Sequence, residues 1–125
     1  MFKTGDKVVC VDDRGWNDLS TQDFILKKYM VFDVLDTIFF ENKQSIDIGA
    51  RFNDPSKHTK QFYSNNPIPG PGIHWAGSHR FKLISERDVE GYNELLKKEL
   101  KEELEKVLAE EEYETAVKIK ELLSN

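Results

Sequence analysis

At Ser85 the hydrophobic period of the chain changes, and no single regular fold can run across that point. Before it, apolar residues come in short β-branched and aromatic runs bounded by polar turns. After it, Leu96, Leu100, Leu104, Val107 and Leu108 recur at helical spacing. The charge changes at the same place. Residues 1–87 hold twelve Lys and Arg against eleven Asp and Glu, whereas residues 88–125 hold six Lys against twelve acids. Two units are therefore expected: a near-neutral β-rich part over 1–85 and an acidic helical tail over 86–125. A tail of net charge −6 is repelled by phosphate backbones, which argues against the whole chain coating nucleic acid.

The front part divides at its turns. Thr4-Gly5-Asp6 leads into Lys7 to Val11, a β-branched run closed by Asp12-Asp13 and read as a first strand. Residues 12–23 are polar, a loop carrying one aromatic, Trp16. Tyr29 to Leu35 is rich in strand formers and reads as the second strand. Thr37 to Phe40 and Ser45 to Phe52, joined through Glu41-Asn42-Lys43-Gln44, read as a hairpin. Residues 56–72 hold Pro67, Pro69, Gly70, Pro71 and Gly72, a density that prevents a regular element and marks a long loop. Arg80 to Ile84 reads as the closing strand. About five short strands with polar turns imply a small barrel or rolled sheet, so the fold class is α+β.

Ser85-Glu86-Arg87-Asp88 has the spacing of a capping box. In the tail, Leu96, Leu100, Leu104 and Val107 fall within about 80° on a helical projection, while Tyr113, Ala116 and Val117 fall on the far side of the same helix. A break near residues 109–112 lets a second helix fold back so that the two apolar faces meet. Glu110, Glu111, Glu112 and Glu114 then lie at the start of that helix, with Lys118 and Lys120 in its later turns, as the helix dipole favours. One long helix is the other reading, because the break contains neither Gly nor Pro.

The tail resembles the UVR motif, a helical hairpin of excision-repair proteins and some Clp-protease regulators. Leu100, Leu104, Tyr113, Glu114, Ala116, Ile119, Lys120, Glu121 and Leu123 carry the likeness. Val117, Lys120, Glu121 and Glu111 stand where that family usually has Ala, Arg, Asp and Leu. The resemblance implies a protein-binding hairpin, often self-associating, with Tyr113, Glu114, Ala116 and Lys120 in the contact surface. The plainer reading is that these residues pack the first helix. The front part resembles the small SH3-like barrels common among bacteriophage proteins, through Gly5 to Val11, Tyr29 to Val34, and Trp75 followed by Arg80 to Ile84. That resemblance implies a fold and supplies no activity.

Catalysis needs convergent titratable groups. His58, His74 and His79 show no metal-ligand spacing, and Cys10 has no second thiol beside it. Cys10 lies in an apolar run and reads as a small buried hydrophobe. Gly70-Pro71-Gly72 lacks the N–H groups of a phosphate cradle. No metal, cofactor or enzymatic activity is expected. Aromatics in loops are the stronger signal. Trp16, Phe62, Tyr63 and Trp75, with Arg80 and Lys60 near in sequence, suit a shallow groove for proline-rich peptides or bases. The plainer alternative is that Trp75 and Phe62 cover a barrel end. A protein partner, a host factor or a second copy, is expected first. Nucleic-acid or nucleotide binding by the barrel, with the acidic tail as mimic or self-inhibitor, is the alternative. With no apolar leader or membrane-length run, the chain reads as cytoplasmic.

Overall fold

Six short strands build the β-rich part in the computed structural model, which describes residues 1–16, 24–52 and 72–124. The strands are β1 (Lys7–Cys10), β2 (Val31–Asp33), β3 (Asp36–Phe40), β4 (Lys43–Asp47), β5 (Ala76–Gly77) and β6 (Phe81–Leu83). They form two antiparallel three-stranded sheets, ordered β2-β1-β6 and β3-β4-β5. The sheets are not closed into one barrel among the described residues, which corrects the expectation of a closed barrel to two sheets enclosing a core. The chain passes from one sheet to the other at Val34-Leu35. There the Val34 N–H donates to the Asp6 carbonyl (2.9 Å) and the Leu35 N–H to the Asp47 carbonyl (2.9 Å).

Val8, Cys10, Val34, Ile46, Ile48, Ala76 and Phe81 fill the space between the sheets, joined by Leu26 from the first loop. Burying side chains of this size contributes about 1.5–3 kcal/mol for each large one. Burial of Cys10 pushes its thiol up to about 11, so it is an apolar filler and not a thiolate.

Two expected strands are shorter than their composition suggests. Tyr29, at φ +78°, turns the chain before β2 begins. The run from Ser45 ends at Asp47, because its carboxylate accepts the Gly49 N–H (2.9 Å) and Gly49 takes φ +92°. Past that turn, residues 50–52 pair with 72–74: Arg51 bridges Ile73, and the Phe52 N–H donates to the Gly72 carbonyl (2.9 Å). The ends of the Pro/Gly-rich loop are thus held together, and its interior lies outside the described residues. The β3–β4 turn is tight, with Glu41 and Asn42 both at positive φ.

After β6, the capping box forms at Ser85 and Asp88 around a short 3-10 turn, Glu86–Asp88. α1 (Val89–Ala109) and α2 (Tyr113–Leu123) follow as a helical hairpin. The break needs no Gly or Pro because Glu111 takes the left-handed conformation, φ +60°. Its N–H then donates to the Leu108 carbonyl (3.1 Å) and that of Glu112 to the Val107 carbonyl (2.8 Å), a Schellman termination. Leu100, Val107, Ala116 and Ile119 form the core between the helices. The hairpin is docked on the β-rich part. Ile25, partly buried, packs against its core, Lys27 Nζ meets Glu103 Oε2 at 2.8 Å, and the rings of Tyr29 and Tyr92 stack at 6.3 Å. No helix among the described residues is long and apolar enough to cross a membrane.

Candidate groove between the first loop and the 3-10 turn

Three segments distant in sequence meet at one end of the β-rich part and enclose a groove of about 770 Å³. The first loop contributes Trp16. The β3–β4 hairpin contributes Phe39, Lys43 and Gln44, and the segment through β5 and the following 3-10 turn (Ser78–Arg80) contributes His74, Trp75, His79 and Arg80.

Local hydrogen bonding sets Trp16. Gly15 takes φ +81° just before it, the Trp16 N–H donates to the Asp13 carbonyl (3.0 Å), and its carbonyl accepts the Leu26 N–H (3.2 Å). Its ring packs on the core and lies 4.0 Å from the His74 ring, which is itself stacked on Phe52 at 4.4 Å. Arg80 braces the same loop. Its Nη1 donates to the Arg14 carbonyl (2.7 Å) and the Asp12 carbonyl (3.2 Å), and its guanidinium lies 5.9 Å from the Trp16 ring centre. The Arg14 side chain, then the Arg14 N–H, hold the Asp12 carboxyl below its usual range.

Trp75 is 3% exposed and belongs to the floor of the groove, consistent with its also covering one end of the β-rich part. Its Nε1 and the Ser45 Oγ are buried with no hydrogen-bond partner among the described residues. Such unused polar groups cost about 1–3 kcal/mol each when they stay unpaired. A Cβ on Gly77 would stand 2.7 Å from Cε1 of the exposed His79 side chain, which would have to swing aside. Gln44 is taken up by the N-terminus, accepting from the Phe2 N–H (2.9 Å) and donating to the Phe2 carbonyl (2.7 Å).

The fold thus brings Trp16, Trp75 and Arg80 together. Phe62, Tyr63, Lys60 and His58 lie outside the described residues. The hairpin residues stand apart from the groove as a second group. Ala116 is 3% exposed and packs inside the hairpin, as the plainer reading had it, while Tyr113, Glu114 and Lys120 face outward on α2. His74, His79 and Phe39 are groove residues that sequence reasoning did not assign to it. Phe39 sits in an uninterrupted apolar run, Ile38-Phe39-Phe40, where no alternation separates a rim residue from a core one. Among the described residues no cluster of His, Cys, Asp and Glu is placed to hold a metal ion. Comparison with protein-family models, curated proteins and solved structures finds no match for the chain.

Proposed function

We propose that the chain is a non-enzymatic protein-interaction module that takes an extended peptide segment of its partner in the aromatic groove. The helical hairpin is a second contact surface. The observation that carries this reading is the convergence of Trp16 from the first loop with Trp75 and Arg80 from the segment around β5 on one groove. Rigid aromatic rings give contact area at little entropic cost, which suits them to peptide capture.

An SH3-like origin for the front part, in an open form, is consistent with the two sheets being joined by one bending chain at Val34-Leu35. A short 3-10 turn ahead of the closing strand agrees with it. For the hairpin, the UVR-like reading rests on Tyr113, 63% exposed, and Val117 one turn further on. A host factor is the partner this plan suits if the chain is of phage origin.

The test is titration of labelled proline-rich peptides and of a single-stranded oligonucleotide against the intact protein, followed by fluorescence anisotropy. Saturable peptide binding, weakened about tenfold or more in Trp16→Ala, is the expected result. Oligonucleotide binding alone, falling steeply with salt, would replace this reading with nucleic-acid recognition. Binding of neither probe would leave the groove without a ligand of the class assigned to it.

A further inference from the structure

We infer that β3 is a self-association edge, through which two copies of the chain join their β3-β4-β5 sheets into one six-stranded sheet. β3 is the outer strand of its sheet and, at five residues, the longest edge strand among the described residues. The two-residue turn makes Phe40–Lys43 the first hydrogen-bonded pair of the hairpin. Residues 40, 38 and 36 therefore turn their peptide groups toward β4, and residues 37 and 39 turn theirs outward. The Thr37 N–H agrees with this, since it donates to the Asp36 carboxylate (Oδ1, 2.8 Å) and not to a strand. The outward carbonyl of Thr37 and both peptide groups of Phe39 make no hydrogen bond among the described residues.

Edge strands that must stay single carry Lys, Pro or a bulge, or are very short. β2 and β6 have three residues and β5 has two. β3, with sequence Asp-Thr-Ile-Phe-Phe, has none of these guards and only one charge, at its end. Beside the open edge Phe39 is 51% exposed, and it shares one face of the strand with Thr37.

The occupant is a second copy because the edge complements itself. Antiparallel pairing about Ile38 sets Thr37 of one copy opposite Phe39 of the other. Both outward-facing residues then meet as hydrogen-bonded pairs, with the Thr37 N–H exchanging its own Asp36 carboxylate for a carbonyl. Each exposed Phe39 ring then lies beside Thr37 of the other copy. The two Asp36 residues lie about four residues apart along the strands, roughly 13 Å, beyond the distance over which exposed charges repel strongly in physiological salt. The near-neutral front unit does not oppose the contact. The acidic hairpin packs beside β2 of the other sheet and is not part of the edge.

Sedimentation equilibrium of the intact protein over a wide concentration range tests this. The expected result is a reversible dimer of twice the 14.6 kDa chain. Thr37→Pro removes only an outward N–H and leaves the β3–β4 ladder whole, and Phe39→Lys places a charge on the open edge. Each is expected to weaken association about tenfold or more while far-UV circular dichroism stays unchanged. If Thr37→Pro perturbs the fold, Phe39→Lys decides. A protein monomeric at every concentration, or a dimer indifferent to Phe39→Lys, overturns the inference.

Discussion

Single residues hold the groove in shape, and two of them give direct tests. Gly77 has φ −62° and ψ 133°, a conformation open to any residue, so a side chain there meets only the exposed His79 ring and no backbone strain. Gly77→Ala should therefore displace His79 and lower stability by about 1 kcal/mol. Gly77→Ala combined with His79→Ala should recover most of that loss, which a double-mutant cycle of chemical denaturation would measure. Asp12 offers a pH test. Its carboxyl titrates below the usual carboxylate range because Arg14 favours the charged form. A folded-state value below the unfolded one adds stability above the unfolded value, near 4. That stability is lost as pH falls through the folded value. Carbon-detected NMR titration should find Asp12 still ionised at pH values where ordinary carboxylates are half protonated, and Arg14→Ala, which removes the side-chain bonds and keeps the N–H, should move its titration part of the way back.

At the scale of elements, the hairpin turn is the clearest case of a local conflict resolved by the fold. Glu111 adopts φ +60° in a Schellman termination where glycine is the usual residue. Glu111→Gly should stabilise the protein by about 0.5–1 kcal/mol in urea unfolding, by removing the strain of a side chain in the left-handed region. The break itself was legible in the sequence, because Leu96 to Val107 and Tyr113 to Val117 cannot share one helical stripe. The capping box at Ser85 was legible for the same local reason. Strand ends were less so. Tyr29 and Met30 are good strand formers, yet Tyr29 is needed to turn the chain. Ile48, Ala50 and Phe52 look like a continuing strand, yet Asp47 and Gly49 end it. β5 was invisible, since two residues, Ala76-Gly77, carry no period, and their pairing with Ser45 and Ile46 depends on distant chain. Of the groove, the aromatic members in loops could be picked out, but that Trp16 and His74 touch follows only from the sheet pairing.

At the scale of the molecule, the change of period at Ser85 marks a change of architecture without separating two independent bodies. Lys7 Nζ joins Asp33 of β2 (2.9 Å) to Glu86 at the entry to the helices (3.0 Å), and Ile25 packs against the hairpin core. Exposed ion pairs contribute little, so the apolar contact carries the docking. Ile25→Ala should cost about 2 kcal/mol and lower the midpoints reported by tryptophan fluorescence and by helical circular dichroism together. Separate movement of the two midpoints would mean that the hairpin and the sheets melt apart. None of the groove-lining residues belongs to the docked hairpin, so the groove is left to a partner. Affinity selection of a random linear-peptide library on the intact wild-type protein and on Trp16→Ala, side by side, tests that claim without presupposing the ligand. The expected result is a family of related peptides enriched on the wild type and absent from the variant, with the variant's circular dichroism unchanged. Equal enrichment on both proteins, or none on the wild type, would contradict peptide capture in the groove.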